Sequence, residues 1–575
     1  MFCIEDFPNE IIYRILDNVE DIYSIISFTC TCQRFFKCRN TYNNYKINFE
    51  SISKKSFDFI CNFMNPFNII KLKLSDDDNK TPGQIKYFIK NFPVNQLNYL
   101  KSLELIQINE NDLEDILKYF VNSSLNFLHI EYRQYFGMLN QSTINLLYDI
   151  LSLKSLKKVY LDMRSYRTDS IQWPNQSSIE YLTLIHLNLN QFIEIIQKPN
   201  KFKSIILRNF LMKDSNMNSS SSKEIYLKEI QSFQIEESEL FMDKILWLIS
   251  FMNKLISLKF EGFTSFIDKI FQNNQLENFI QTNLIYLKTF QFFIRFSPVE
   301  FKINFLIINS FIEQFQKIFW ISKFNCSIIC DFIKDSNELY AYSIPSSNHY
   351  LKYSDQLSIT SISTQPEFNY LNRRFHSIYQ LDLNLKDLQI KNCEEEEDIR
   401  LFPKLKNLKL TLSDQCLLNS FEILSKRIYL NKLNKIVLII SSRGNNLDLL
   451  MKKFLIFLNN LSNINSIEIF NRWYGIFSYI NIKYFCSMIP NNIKHLNIDI
   501  SDINQIKILI ENLQHILSFK FKFSFDKSVY INEILEWLNK KSINSTYISD
   551  MHYLSVWISQ QFNKTNSNKR IKLDH

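Results

Sequence analysis

The sequence predicts an α/β chain: stacked units of one short strand and one helix, preceded by a small all-α helical module. Three observations carry that prediction. A six-residue pattern, apolar-x-x-apolar-x-apolar, recurs fifteen times, amphipathic helical stretches lie between its copies, and an oily helical pair stands ahead of the first copy. At 575 residues the chain exceeds the size at which one compact core stops growing, so several domains or a repeating array are expected. Its 46% hydrophobic and 22% charged residues mark a folding sequence.

The helical module is assigned to residues 1–45. In "FPNEIIYRILDNV", Ile11, Ile12, Ile15, Leu16 and Val19 recur at the spacing of one helical face. Pro8 suits the first turn, where its missing N–H costs nothing. Glu5, Asp6 and Glu10 sit where the helix dipole favours negative charge. A second helix is expected from Ile22 to about Phe36, with Ile22, Ile25, Ile26 and Phe28 apolar. So few residues bury too little surface to be stable alone, and each Ile or Leu left wet forgoes ~1.5–3 kcal/mol, so these helices must pack on something.

Residues 46–68 are read as a linker or capping segment. The repeating pattern then runs from "IIKLKL" (69–74) through "LKSLEL" (100–105), "LNFLHI" (125–130) and "LKKVYL" (156–161) to "LKTFQF" (287–292). It resumes at "IYQLDL" (378–383) and ends at "ILSFKF" (516–521), with most copies 23 to 32 residues apart. Each copy closes on a two-residue alternation, the mark of a short strand with one buried face. Helical patterns at 110–122, 242–254, 447–461 and 504–516 separate the strands. One such unit cannot bury its own apolar face, whereas stacked neighbours can, which predicts a solenoid. The array is divided into a first block (69–300), a stretch of irregular or degraded repeats (301–377) and a second block (378–545). Residues 546–575 are expected to be a tail, disordered at its end.

Composition narrows the function. The five glycines are widely scattered, so neither a dinucleotide loop nor a P-loop is present, because both cluster glycines where backbone approaches phosphate. A net charge of +8 without a basic stripe does not indicate nucleic-acid binding. Ten cysteines lack zinc-like spacing, and no Ser, His or Cys forms a triad with carboxylate support, so no catalytic, metal or cofactor site is expected. "MFCIEDFPNE" lacks the basic start of a secretory signal. The greasiest stretch, 305–321, is interrupted by polar residues that are costly in lipid, so no membrane contact is expected. A cytoplasmic or nuclear protein is expected.

The strand-and-helix period resembles that of leucine-rich repeats over residues 69 to 521. It departs from the family where that pattern carries Asn or Cys: these positions hold Ile108, Arg133, Arg164, Leu187, Phe210 and Ser441. The opening helices resemble an F-box, with Phe7, Pro8, Glu10, Ile11, Ile15, Leu16 and Val19 at matching positions, followed by Ile22 and Ile25 in the second helix. The pair Asp21–Ile22 follows Val19 sooner than in that family. F-box proteins with leucine-rich repeats are substrate receptors of Skp–cullin–F-box ubiquitin ligases. The resemblance therefore implies a non-catalytic receptor that binds a Skp-type adaptor, and through it a cullin, and holds an unknown protein substrate. The alternative is a leucine-rich-repeat scaffold whose first helices only cap the array.

The residue between the last two anchors of each copy points away from the core. Candidate substrate-facing residues are therefore Glu104, His129, Tyr160, Thr183, Gln234 and Lys259, then Asp382, Lys409, Glu468, Asn497 and Lys520. They have no dominant charge. In the tail, "KRIKLD" resembles a short nuclear-import signal carried by Lys569, Arg570 and Lys572, with a solvated basic tail as the alternative.

Overall fold

The computed structural model describes residues 7–19, 25, 31–133, 139–162, 171–198, 201–212, 227–264, 275–297, 303, 305–333, 337–344, 350–353, 359–363, 379–385, 402–413, 415–441, 447–471, 481–523, 528–541, 543–550 and 552–559. It is a mixed α/β chain with two long, mostly parallel sheets. Strands β1 (Tyr45–Asn48), β2 (Ile69–Ser75), β3 (Ser102–Ile108), β4 (Phe127–Tyr132) and β5 (Lys158–Asp162) pair in chain order. The series continues through β6 (Tyr181–Ile185), β7 (Ser204–Arg208), β8 (Ser232–Glu239), β9 (Ser257–Thr264) and β10 (Thr289–Phe296), each strand parallel to the next.

The parallel run then stops. Two consecutive helices, Phe305–Phe315 and Ile318–Phe324, use the greasy stretch to cover β10, with the rings of Phe315 and Trp320 tilted against Phe292 and Phe290 at 5.4 Å. Among the described residues, no helix is long and apolar enough to cross a membrane. β11 (Ser327–Ile333), β12 (Glu338–Ile344) and β14 (Ile359–Ser363) close this sheet antiparallel, in the order β10-β12-β11-β14. A second sheet starts at β13 (Tyr350–Tyr353) and runs parallel through β15 (Gln380–Asn384), β16 (Asn407–Leu412), β17 (Lys435–Ile440), β18 (Ser466–Asn471), β19 (His495–Ile500) and β20 (Ser518–Phe523). It ends on two antiparallel strands, β21 (Ser545–Asp550) and β22 (Tyr553–Ile558). The array is therefore interrupted where the copies vanish from the sequence.

Every described anchor of the six-residue pattern is at most 3% exposed. Register explains why: Leu72, Leu103, Leu128, Val159, Leu182, Ile205, Phe233, Leu258 and Phe290 lie side by side across one sheet. Leu381, Leu408, Ile436, Ile467, Leu496 and Phe519 do so across the other. Asparagines after the strands start many of the intervening helices: Asn109, Asn140 and Asn188 each accept a backbone N–H three residues on.

A repeated backbone device joins successive units just ahead of each strand. One carbonyl per unit accepts two N–H groups of the next: Asn126 takes Lys157 and Lys158, Lys157 takes Glu180 and Tyr181, and Glu180 takes Lys203 and Ser204. Two residues beyond the last anchor, Gln107, His186, Asn209 and Glu237 all adopt φ between 48° and 61°. That left-handed turn costs roughly 1–2 kcal/mol for a residue with a Cβ. It drives the following Ile108, Leu187 and Phe210 into the core, where burial returns ~1.5–3 kcal/mol each. Apolar side chains thus hold the positions where the family pattern has Asn. Arg133 is buried as well, Ser441 bonds through Oγ to the Leu412 carbonyl at 3.1 Å, and Arg164 lies outside the described residues.

Two boundaries differ from the sequence reading. Residues 46–68, read as a linker or capping segment, contribute most of β1 and the helix Lys54–Phe63, so the sheet begins one strand earlier. Most of the second N-terminal helix expected from Ile22 to about Phe36 lies outside the described residues; Ile25 is helical, and a helix Gln33–Thr41 is capped by Cys32, which accepts the Phe35 N–H at 3.4 Å. The tail expected from 546 starts within a paired strand: Leu554 and Val556 of β22 face the second core while Trp557 faces away.

Trp557 belongs to the first hydrophobic core, which otherwise runs from Ile12 to Ala341, although its strand belongs to the sheet around the second, Leu381 to Ile558. Its ring packs 5.5 Å from Phe57, and its Nε1–H donates to the Ile52 carbonyl at 3.0 Å. The two ends of the described chain meet there.

Candidate functional site

In the N-terminal module, helix Asn9–Asn18 starts after Pro8, whose carbonyl accepts the Ile11 and Ile12 N–H groups. Its apolar residues divide between two sides. Ile12 and Leu16 are buried, whereas Phe7 and Ile11 are 37% and 38% exposed, with Ile15 and Val19 half-buried. Pro8 and Glu10 are exposed. The helix is held by Arg34, which donates to the Phe7 carbonyl at 2.6 Å, and by Cys38 Sγ, which donates to Asn9 Oδ1 at 3.3 Å. Tyr42 donates to Asp17 at 2.6 Å, and burial together with that carboxylate pushes its pKa well above the usual tyrosine value. Rings of Tyr13, Tyr42 and Tyr45 link the module to β1. Of the expected adaptor-facing set, Leu16 and Ile25 are core residues and Ile22 lies outside the described residues.

The strand-face candidates fall into two lateral rows. Lys73, Glu104, His129, Tyr160, Thr183, Ile206, Gln234, Lys259 and Gln291 are register neighbours in the first sheet. Asp382, Lys409, Val437, Glu468, Asn497, Lys520 and Ser555 are neighbours in the second. None of the candidate residues is freely exposed, and Glu104, Glu468 and Asn497 are buried. Their charges pair with one another or with residues the sequence reading did not select. Lys71 meets Glu104, Lys259 lies between Glu236 and Glu261, and Arg208 also holds Glu236. Lys409 meets Asp382 at 2.5 Å and Lys435 meets Glu468 at 2.8 Å. Those missed partners sit mostly two residues along the same or neighbouring strands, so the alternation that selected one row could have selected both.

His129 is the centre of the first row. Its Nε2 lies 3.0 Å from Glu131, its Nδ1 3.7 Å from Glu104, and its ring 3.9 Å from that of Tyr160. Burial alone would lower its pKa, but the two carboxylates outweigh burial and raise it above 6.5. Burial pushes Glu104 up, yet His129 and Lys71 bring it down to about 2. The signs differ. The His129 contribution to stability is complete below 6.5 and is lost as pH rises through its raised pKa; the Glu104 contribution is complete above 4.5 and is lost as pH falls towards 2. Thermal melts across pH should therefore show His129→Gln flattening the fall in stability above pH 6.5. The acid limb should remain, because Lys71 still holds Glu104.

A third assembly was not legible in the sequence. The loop between β2 and helix Gln84–Asn91 crosses to the far end of the second sheet. Asp78 pairs with Lys520 at 2.9 Å and with Arg133, Asn79 takes bonds from Asn497 and Ser518, and the Pro82 carbonyl accepts Thr546 Oγ1 at 2.7 Å. Arg133 and Lys520 also meet Tyr553, by a 3.2 Å bond to its hydroxyl and a 4.4 Å approach to its ring. Asn497 and Lys520, expected to face a substrate, are thus engaged within the chain. The stretch "SDDDNKTPG" reads only as a turn, and nothing local in it announces partners more than 400 residues away.

Among the described residues, no group of three or more His, Cys, Asp or Glu could hold a metal ion. Lys569, Arg570 and Lys572 lie outside the described residues. No protein-family model matches this sequence, and no curated protein matches it either.

Proposed function

We propose that this chain is a non-catalytic substrate receptor of a Skp–cullin–F-box ubiquitin ligase. In this reading the N-terminal helices dock on a Skp-type adaptor, and through it a cullin. The strand-and-helix array, as a leucine-rich-repeat solenoid, holds a protein substrate in the cytoplasm or nucleus. Its contribution is proximity: a substrate held beside the ubiquitin-charged enzyme reacts at a raised effective concentration.

The observation that supports this most directly is the division of helix Asn9–Asn18. Ile12 and Leu16 already fix it to the rest of the chain, so a cap has no further use for Phe7 and Ile11, which remain exposed beside Pro8. Covering the exposed third or so of such side chains would contribute about 0.5–1 kcal/mol each to docking. The continuity of Tyr13, Tyr42 and Tyr45 with the first core favours the second reading, a scaffold with a helical cap.

Capture of a Skp-type adaptor by the full chain separates the two. Phe7→Asp with Ile11→Asp should abolish capture while leaving the melting temperature within a degree or two of native, since both side chains stand outside the core. Retained capture, or a large fall in melting temperature, would instead identify the helices as a cap.

A further inference from the structure

The far end of the second strand face is already occupied, and its occupant indicates what the face accepts. Loop 76–82 carries three consecutive aspartates and lies on β19, β20 and the final strand pair. It meets them through polar contacts: Asp78 to Lys520 and Arg133, the Asn79 side-chain oxygen to Asn497 at 3.2 Å, and the Asn79 carbonyl to Ser518. A second, independent feature lies on the same face. Asn497 Oδ1 and Ser555 Oγ are buried without a hydrogen-bond partner, and both residues are register neighbours of Lys520. A buried polar atom left unpaired costs ~1–3 kcal/mol, so the loop satisfies this face incompletely. Lys522, two residues along β20, lies over the Phe470 ring at 4.0 Å. Burial pushes Lys520 down to about 8, helped by the charge of Arg133, so its ammonium is held in a poorly solvated site that favours an anionic partner.

From this geometry we infer that the strand face around Asn497, Lys520, Lys522 and Ser555 binds an acidic extended segment of a partner protein, and that loop 76–82 is an internal stand-in which the partner displaces. The inference rests on the array being a protein-recognition surface, and it names the chemical class recognised: a carboxylate with a neighbouring amide or carbonyl, as Asp78 and Asn79 present them. Trp557, the register neighbour of Ser518 and Thr546, borders the loop, but its packing on Phe57 and its bond to the Ile52 carbonyl involve no loop residue and keep the chain ends together when the loop lifts. Displacement therefore opens the face without separating the two cores.

The test uses a fluorescein-labelled peptide of residues 75–83, SDDDNKTPG, titrated by anisotropy into the full chain. A face closed nine-tenths of the time binds about tenfold more weakly than an open one. The Asp78→Ala, Asn79→Ala chain should therefore bind the peptide at least about tenfold more tightly than the native chain, and Asp78→Asn should fall between them. Adding Lys520→Glu to the opened chain should abolish binding. Equal binding to all these chains, or loss of the folded state in both opened variants, overturns the inference, since the loop is then only part of the fold. Adaptor capture is read on the same preparations. Capture without peptide binding rejects this inference alone, and peptide binding without capture rejects the adaptor reading alone.

Discussion

Replacing Trp557 with alanine should remove about 3–5 kcal/mol of stability, the range for truncating a large buried aromatic. The side chain is fully buried, and it joins a cluster in which Phe57 lies 4.5 Å from Phe49 and 6.2 Å from Phe88. Its indole also gives the Ile52 carbonyl a hydrogen bond. Trp557→Phe would keep part of the packing and leave that carbonyl unpaired, an intermediate loss. Urea unfolding measures both. Amide exchange locates the effect: β20, β21 and β22 should exchange faster, while β16, β17 and β18, which belong wholly to the second core, should keep their protection. A loss below about 1 kcal/mol would mean that the contact between the chain ends contributes little.

Gly262→Ala carries the second large effect, and its sign runs against habit. Glycine in a strand with ordinary φ usually gains up to ~1 kcal/mol on conversion to alanine, because the unfolded chain loses freedom. Here a bulge in β8 after Ile235 brings the Ser238 carbonyl over Gly262, so an added Cβ would overlap that oxygen and lie 2.9 Å from Leu240 Cγ. Backbone must move on both strands. The expected cost is ~1–3 kcal/mol or more, read as a fall in melting temperature. An unchanged or raised melting temperature would show that β8 and β9 can separate locally without penalty.

What the sequence disclosed follows from which interactions are local. Leu103 and Leu105, or Ile467 and Ile469, are spaced by the strand itself, so alternation identified them and implied their lateral neighbours. The same logic placed Glu104 beside His129 and Asp382 beside Lys409. It missed β1, because "YKIN" alternates over only four residues and lacks the leading anchor. The antiparallel ends escaped for another reason: β12 returns beside β10 through a pairing that no period of 20 to 30 residues encodes. Helix Asn9–Asn18 shows a third limit. Its periodicity marks Ile11, Ile12, Ile15 and Leu16 as one stripe, yet only packing decides that Ile12 and Leu16 lie inside and Ile11 outside. The seam at Asp78 was least legible, since charge and turn residues mark a loop without marking its destination.

The meeting of Phe57 and Trp557 also sets a timetable for biosynthesis. The residues are separated by about 500 positions, so the apolar face of helix Lys54–Phe63 leaves the ribosome long before its partner exists. At about 5–20 residues per second that interval is roughly 25–100 s. Early units can stack on one another as they emerge, each burying its anchors against the last. Their outermost aromatic surface cannot be covered until the final strand has been made, which leaves Phe57 and its neighbours a nascent-chain surface for chaperones to shield.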